Sequence, residues 1–232
     1  MTADIIFQQL QELGNPAKAA HSLTFFKTTP GGYGEGDRFL GITVPEVRVV
    51  AKGHPKLLLS EIEILLANPY HECRMCALLI LVEQFKKADE EARRILFDFY
   101  RARTFYINNW DLVDLSCYAI VGEWLADKDR QPLYTWSRSP SLWEQRIAIV
   151  STMAFIRRND FADTLQLSES YLSHPHDLIH KACGWILREI GKRDEKILTG
   201  FLDIHYTNMP RTMLRYAIER LSPQQRAYYL KK

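Results

Sequence analysis

The chain has 232 residues, 47% of them hydrophobic and 25% charged, with a formal net charge of +2. This composition is ordinary for a soluble protein with a sizeable core. Its apolar runs, such as residues 77–82, are far shorter than the ~20 residues of a membrane helix. The N-terminus lacks the charged-then-apolar order of a signal peptide, so we expect a cytoplasmic protein with no membrane partner. Because the charge is nearly balanced, any nucleic-acid binding requires cations gathered on one surface.

The first 43 residues predict an atypical start to the fold. We expect two helices, at about residues 3 to 13 and 16 to 27, followed by a glycine-rich segment from Pro30 to Asp37. The glycines suggest a phosphate loop, but the Gly-Lys-Ser/Thr ending is missing and the two carboxylates, Glu35 and Asp37, would repel phosphate. We interpret the segment as an ordered turn between helices.

After about residue 44 the sequence repeats apolar residues at helical spacing and shows no alternating strand pattern, which predicts an all-α fold. Turn-forming segments precede long amphipathic helices and recur at roughly 31 to 40 residues, the period of HEAT-like helix pairs. These segments are Asn68-Pro69, Asn108-Asn109, Ser139-Pro140, His174-Pro175 and Asn208-Met209-Pro210. We therefore expect a single domain over residues 1–232, built as a curved solenoid of HEAT-like repeats.

A basic residue recurs early in four of these helices, at Arg74, Arg146, Lys181 and Arg215. Since equivalent positions of a repeat face the same way, these residues predict a basic ladder along one face. Such a ladder suits the phosphate backbone of duplex DNA. A second interpretation stays open, in which these cations are solvated or form ion pairs with Glu72, Glu144 and Glu189.

The segment from Asn108 to Asp114 combines a helix start with a carboxylate in apolar surroundings. The field at a helix N-terminus is sufficient to explain Asp111. Asp114 lies a turn deeper, on the same helix face as Trp110 at i+4. A carboxylate there is costly unless it is hydrogen-bonded or functional, so a structural and a catalytic role both stay open.

A second helix places Lys181, Trp185 and Arg188 along one stripe. Two cations beside a tryptophan are unusual on a core face, whereas they suit a surface that binds phosphates and contacts a sugar or base. Gly184 predicts a close approach by another part of the chain. A rim tryptophan covered by a neighbouring helix is the alternative.

Two other groups have the spacing of metal or redox sites. Cys73 and Cys76 form a CxxC pair, but it lies inside an apolar helix and no second CxxC exists, so we expect buried thiols. We expect the same of Cys117 and Cys183, which suits a reducing compartment. His174, His176 and His180 include an i, i+4 pair, but no glutamate follows in the HExxH manner, and we predict no metal site.

The chain resembles the AlkD-type DNA alkylation repair family, which is built from HEAT-like repeats. Four segments carry the resemblance, and together they span nearly the whole chain. They are Phe25-Phe26-Lys27 leading to Gly34-Glu35-Gly36-Asp37-Arg38-Phe39-Leu40-Gly41-Ile42 and Pro45; Trp110-Asp111-Leu112-Val113-Asp114; Trp143-Glu144-Gln145-Arg146; and Lys181-Ala182-Cys183-Gly184-Trp185-Ile186-Leu187-Arg188-Glu189.

The resemblance implies a glycosylase that removes N3- and N7-alkylated purines from duplex DNA. We expect it to act as a monomer, without a metal or organic cofactor. The resemblance implies that Trp110, Asp114 and Trp185 belong to the active-site cleft and that Arg146 contacts DNA beside it. It also implies that the lesion stays largely in the base stack. Thr43 is shorter than the polar residue found at this position in the family, which puts direct DNA contact there in doubt.

The chemistry implied by the resemblance fits the residue types. An alkylated purine is cationic and already a good leaving group, and its departure leaves positive charge on the deoxyribose, which a carboxylate such as Asp114 stabilises. The tryptophan faces supply apolar and cation–π contact, worth roughly 0.5 to 2 kcal/mol per site. A non-catalytic DNA-binding or protein-scaffold module of the same fold is the alternative.

Overall fold

The computed structural model describes residues 2–231 of the chain. Helices dominate this part of the chain and no β-strand forms in it, although an isolated bridge pairs Arg38 with Tyr70. The predicted all-α class is therefore confirmed. The chain divides into two compact units, the first ending at Ile120 and the second beginning at Val121. The expectation of one domain over residues 1–232 stays a prediction.

The first unit consists of helices packed around one buried helix. Its helices are α1 (Ala3–Glu12), α2 (Pro16–Phe25), α3 (Val44–Gly53), α4 (Leu59–Leu66), α5 (His71–Lys87), α6 (Glu90–Arg101) and α7 (Trp110–Cys117), with a 3-10 turn at Thr104–Tyr106 between the last two. A π-helical turn, Tyr118–Gly122, follows α7 and contains the boundary between the units.

The second unit also consists of helices. Its helices are α8 (Glu123–Leu125), α9 (Gln131–Ser137), α10 (Leu142–Ser151), α11 (Met153–Ile156), α12 (Ala162–Ser170), α13 (Asp177–Gly191), α14 (Glu195–His205), α15 (Arg211–Ala217) and α16 (Pro223–Leu230). Within residues 2–231 no helix has the length and apolar character needed to cross a membrane.

Each predicted turn segment is followed within two residues by a helix. The helices concerned are α5, α7, α10, α13 and α15, so the predicted repeat of helix starts is confirmed. Two of them are shorter than expected, since α7 has 8 residues and α15 has 7. The π-helical turn directly after α7 explains its early end, because the wider turn breaks the α-helical hydrogen-bond pattern.

One helix forms the centre of each unit. Helix α5 packs against α1, α3, α4, α6 and α7, and it is buried almost continuously from His71 to Val82. Helix α13 packs against α10, α11, α12, α14 and α15. A helix that is covered on all sides needs an apolar surface all round. Any charged residue on such a helix therefore needs a buried partner, which matters for the site described below.

The predicted N-terminal arrangement is confirmed. Helices α1 and α2 lie at the expected positions, and the glycine-rich segment is an ordered turn rather than an open loop. Its backbone is closed by hydrogen bonds from Gly32 N to the Thr29 carbonyl and from Gly31 N to the Glu35 carboxylate at 2.8 Å. The carboxylate of Glu35 thus stabilises the turn itself.

The predicted close approach at Gly184 is confirmed. A Cβ atom at this position would lie 2.5 Å from the Met213 carbonyl oxygen and 2.5 Å from the Tyr216 Cβ atom. Both atoms belong to α15, so the glycine lets α15 approach the backbone of α13.

We predict that Gly184→Ala lowers the free energy of unfolding by about 1–3 kcal/mol, because the added methyl group overpacks this contact. Urea unfolding of the two proteins measures the difference. Gly200→Ala is the matched control, since no atom lies within 4 Å of a Cβ atom there. Alanine favours a helix by up to about 1 kcal/mol over glycine, so the control should be stabilised. Equal effects of the two substitutions would contradict this account of α13 and α15.

Candidate active site

A buried carboxylate, Asp37, ends the glycine-rich segment and is only 5% exposed. Its Oδ1 accepts hydrogen bonds from Arg74 Nη2 at 2.6 Å and from Asn108 Nδ2 at 3.0 Å. Its Oδ2 accepts one from Asn109 Nδ2 at 3.3 Å and faces His71 Nδ1 at 3.3 Å. A buried charge is tolerated only when it is paired and hydrogen-bonded, and Asp37 is both. We use the name Asp37 cluster for Asp37, His71, Arg74, Asn108, Asn109 and Asp111.

The charge on Asp37 is stabilised by its neighbours. Burial by itself raises the pKa of this carboxyl group, but the hydrogen bond with His71 and the charge of Arg74 outweigh burial. The pKa of Asp37 is consequently lowered from its ordinary value, and the group is ionised at neutral pH.

His71, the first residue of α5, contacts a carboxylate with each ring nitrogen. Its Nδ1 faces Asp37, and its Nε2 lies 2.8 Å from Asp111 Oδ2. Burial lowers the pKa of His71, but the charge of Asp111 and the hydrogen bonds with both carboxylates outweigh burial and raise the pKa to about 9. His71 is therefore an imidazolium ion at neutral pH.

The prediction that Asp111 is a helix-start residue is confirmed but incomplete. Its Oδ1 accepts from Leu112 N at 2.8 Å within the first turn of α7. Its Oδ2 pairs with His71, so the same side chain also ties α7 to the N-terminus of α5. Helix-start chemistry alone did not indicate this second contact.

Aromatic rings connect the Asp37 cluster to Trp110. The centroid of the Phe26 ring lies 5.6 Å from that of Trp110, at an interplanar angle of 28°. It lies 5.0 Å from the ring centroid of Phe39 and 5.1 Å from that of His71. Phe25 meets Trp110 edge-on at 6.1 Å and is 55% exposed. Stacked and edge-on contacts of this kind are each worth about 0.5–1.5 kcal/mol beyond burial. One side of Trp110 is thus supported by Phe26, and an exposed ring lies beside it.

Trp110 and Asp114 lie one turn apart on α7. The Asn109 side chain caps this helix by accepting from Trp110 N at 2.8 Å. Both Trp110 and Asp114 are half-buried, whereas Leu112 and Val113 between them are fully buried. The spacing places the indole and the carboxylate on the same side of the helix, as predicted. This pair joins an aromatic face to a negative charge at the boundary between core and surface.

Asp114 also lies close to the buried hydroxyl of Tyr100. Burial, together with the charges of Cys117 and Asp114, raises the pKa of Tyr100. The hydroxyl lies 3.0 Å from Ser116 Oγ, which itself donates to the Leu112 carbonyl at 2.6 Å. Tyr100 is therefore a neutral, buried and hydrogen-bonded neighbour of Asp114.

A second buried carboxylate fixes the segment after Asp37. Glu72 accepts hydrogen bonds from the backbone amides of Leu40 at 2.9 Å, Gly41 at 2.8 Å and Ile42 at 3.2 Å. Gly41 has a φ of +81°, and a Cβ atom there would lie 2.1 Å from the Asn15 carbonyl oxygen. Glu72 is therefore bound to this loop rather than to a basic ladder.

Thr43 comes next in the chain and caps α3. Its hydroxyl donates to Glu46 Oε2 at 2.6 Å, and its amide donates to the same oxygen at 2.8 Å. The side chain is exposed, but its hydroxyl serves the helix cap. DNA contact by Thr43 stays a prediction.

In the second unit, half-buried Trp185 lines a surface groove of about 230 Å³. The other residues that line the groove are Met153, Ile156, Arg157, Glu189 and Arg193. Lys181, Trp185 and Arg188 all lie on α13, but the cations that line this groove are Arg157 and Arg193. Both lie at helix ends, where the spacing along α13 gave no signal for them.

The two cations predicted to flank Trp185 are engaged with carboxylates. Arg188 is ion-paired with Glu219 and lies 3.9 Å from Glu189, with 18% of its side chain exposed. Lys181 pairs with Asp177 at 2.8 Å and is 41% exposed. Lys181, a member of the predicted ladder, is therefore in an ion pair as the alternative interpretation allowed, but its partner is Asp177. DNA binding by Lys181 and Arg188 stays a prediction.

The predicted basic ladder is wrong for Arg74. This residue is 6% exposed, and its guanidinium is bound to Asp37 and to the Asn68 carbonyl, so it stabilises the core and presents no charge to a ligand. Arg146 is likewise 5% exposed and donates to the Leu178 carbonyl at 2.6 Å. The prediction that Arg146 lies on an exposed ladder is therefore also wrong. DNA contact by Arg146 stays a prediction. Arg215, in contrast, is exposed as expected.

The remaining candidates have structural partners. The four cysteines are free and buried, as predicted. His174 Nε2 lies 2.9 Å from Gln145 Oε1, and His180 Nε2 lies 2.5 Å from the His174 carbonyl oxygen. Among residues 2–231, no group of three or more His, Cys, Asp or Glu side chains is arranged to hold a metal ion.

The sequence-based reasoning missed Asp37 and His71. A signal was present, because His71 and Arg74 precede a continuous apolar stretch of the same helix, residues 75–82, and buried charges need partners. The partner could not be identified, since Asp37 lies 34 residues away from His71 in a turn.

These observations define a class of protein. It is a helical-repeat protein that carries a half-buried carboxylate and a half-buried tryptophan on one helix. Residues 6–221 match the family model described as DNA alkylation repair enzyme. The chain therefore belongs to the family of DNA alkylation repair enzymes, and its role is in the repair of alkylation damage. No curated protein matches the chain.

A solved structure shows the same fold. It is described as a predicted DNA alkylation repair enzyme from Enterococcus faecalis, and it superimposes with a TM-score of 0.73 at 17% sequence identity. The match covers 90% of this chain and 97% of that one. At this identity the likeness supports the helical-repeat fold alone.

We predict that the free energy of unfolding decreases as the pH rises through about 9, the pKa of folded His71. The folded pKa lies above the unfolded value of about 6.5, so the stabilisation is complete below that value and is lost on deprotonation. A shift of this size corresponds to roughly 3 kcal/mol. Urea unfolding of the wild type and His71→Gln between pH 6 and 10 measures it. The variant should lack the pH-dependent stabilisation that His71 contributes. If the free energy of unfolding changed with pH in the same way in both proteins, the raised pKa of His71 would be contradicted.

Proposed function

We propose that the protein is a DNA glycosylase that hydrolyses the N-glycosidic bond of N3- and N7-alkylated purines in duplex DNA. The observation that carries the proposal is the pair of half-buried residues on α7, Trp110 and Asp114, one turn apart on the same side. Membership of the DNA alkylation repair family supports it.

The reaction requires little of the protein. Alkylation at N3 or N7 makes the purine cationic, and when the bond between N9 and C1′ breaks, the electron pair leaves with the base and neutralises it. The positive charge then resides on the deoxyribose. A water molecule adds to C1′ and loses a proton, which gives the 1′-hydroxyl product.

Asp114 supplies the negative charge that this pathway needs. A carboxylate held at the edge of the core has a lower local dielectric around it than one in water, which strengthens its attraction to the sugar cation. The same group can orient the water and accept its proton, as carboxylates do in glycoside hydrolysis. Tyr100 is neutral on the core side, so it adds no competing charge.

Aromatic faces provide the remaining contacts in the proposal. Trp110 is supported by Phe26 and offers a flat surface for the sugar or the cationic base. Trp185 is assigned from its match to the family motif, and its position in a groove with two arginines suits contact with a charged nucleic acid. Exposed cations of the second unit, such as Lys181 and Arg215, are proposed to bind phosphates.

We predict that Asp114→Asn lowers the rate of 7-methylguanine release from methylated duplex DNA by about 10²–10³-fold, because the amide cannot stabilise the sugar cation. DNA affinity should change by a few-fold at most. Chromatography of the released bases and fluorescence anisotropy measure the two quantities. Asp127→Asn is the matched control, since the side chain of Asp127 is 80% exposed and lies outside α7.

Two outcomes would contradict the proposal. Full activity of Asp114→Asn would remove the catalytic assignment of this residue. Tight DNA binding by the wild type without any base release would favour a non-catalytic DNA-binding module of the same fold.

We predict opposite behaviour for two arginines in DNA binding. Arg215→Ala should reduce the slope of log affinity against log salt by about one unit, as expected for one lost phosphate contact. Arg74→Ala should leave that slope unchanged and lower the free energy of unfolding by about 3–5 kcal/mol, because it leaves Asp37 without its buried partner. Salt titrations and urea unfolding measure the two effects. A reduced slope in Arg74→Ala would contradict the assignment of Arg74 to the core.

A further inference from the structure

The geometry of His71 requires a protonated ring. Nδ1 faces Asp37 Oδ2 at 3.3 Å and Nε2 faces Asp111 Oδ2 at 2.8 Å. Asp37 is ionised, and a carboxylate without its proton only accepts hydrogen bonds. A neutral imidazole donates from a single nitrogen, so it would point a lone pair at one of the two carboxylates. Only the imidazolium ion satisfies both contacts.

The charges around this ring are balanced. Two carboxylates, Asp37 and Asp111, face two cations, His71 and Arg74. The side chains of His71 and Asp37 are each 2% exposed and that of Asp111 is 12% exposed. A neutral residue in place of His71 would leave one excess negative charge in a largely buried group, which is costly.

Four hydrogen bonds involve the residues at the start of α7. Asn108 and Asn109 donate to Asp37, Asn109 caps Trp110 N, and Asp111 binds His71. Trp110 lies between these anchored residues in the chain. Its ring rests on Phe26, which in turn lies 5.1 Å from His71. Both the backbone and the side chain of Trp110 are thus connected to the His71 imidazolium through neighbouring residues.

We infer that His71 is a positioning residue of the proposed active site, which joins Asp37 to Asp111 and thereby sets the start of the helix that carries Trp110 and Asp114. His71 itself is buried beneath the rings and does not reach substrate. The expected effect of His71 on activity rests on the proposed function. Its expected effect on the position of Trp110 rests on the geometry alone.

Two variants and one control test this role. Asp111→Asn retains every aromatic side chain and removes the charge that faces His71 Nε2. His71→Gln removes the cation itself. The control is His54→Gln, the same substitution at a buried histidine of the same unit that contacts Gln9 at 2.7 Å, outside the Asp37 cluster. If His71→Gln fails to fold, Asp111→Asn still decides the outcome.

The first readout is the order of the Trp110 indole, measured by the ¹⁵N heteronuclear NOE of its N–H group and assigned with Trp110→Phe. Both test variants should lower this NOE at a temperature where they are fully folded, and the control should keep the wild-type value. A residue that only stabilised the fold would reduce the melting temperature without changing the NOE of folded molecules.

The second readout is the single-turnover rate of base release from methylated duplex DNA. Both test variants should lose about tenfold or more, because misplacing reacting groups by an ångström is costly. DNA affinity should stay within about twofold, since the effect lies in the chemical step. The control should keep the wild-type rate constant per active molecule.

The two readouts separate the inference from the proposed function. A wild-type Trp110 NOE in both test variants would overturn the positioning role, whatever the activity. Absence of base release by the wild-type protein would contradict the proposed function, while the NOE comparison would still decide the role of His71.

Discussion

The buried charge of Asp37 is the interaction on which the first unit depends. An isolated carboxylate in this position would be far too costly, so the surrounding chain has to supply a cation and several donors. Those donors come from the N-terminus of α5 and from the asparagines before α7. Satisfying one carboxylate therefore fixes three separate segments, and the proposed catalytic helix is one of them.

A comparable arrangement holds the loop after Asp37, where Glu72 binds three successive amides. One acidic and two basic side chains, Glu72, His71 and Arg74, lie at the start of this helix and by themselves would resemble a surface. In this protein they organise the interior, because each has a partner from a distant part of the chain. Stability and the geometry of the proposed site are consequently supplied by the same residues.

Sequence patterns were sufficient for the fold class and for the helix starts. Helical spacing, proline at helix starts and asparagine caps are local features, and local features are readable without knowing the tertiary structure. The same reasoning placed Trp110 and Asp114 on one side of a helix. It also identified Gly184 as a point of close approach, because a glycine inside a helix needs a packing reason.

The sequence was less informative about which side of each helix faces solvent. Arg74 and Arg146 recur at repeat positions, as do Lys181 and Arg215, yet the first two are buried and the last two are more exposed. Repeat spacing shows that positions are equivalent along the chain, but it cannot show which neighbours cover them. The contacts of Asp37 and His71 were unreadable for the same reason, since their partners lie more than 30 residues away.

The central claim is that the charge on Asp37 holds the start of α7 in place. Hydrogen exchange of the amides from Leu112 to Cys117 tests it most directly, by comparing the wild type with Asp37→Asn, which keeps the shape and removes the charge. We predict faster exchange across α7 in the variant, with little change in the helices of the second unit. Unchanged protection of α7 would contradict it.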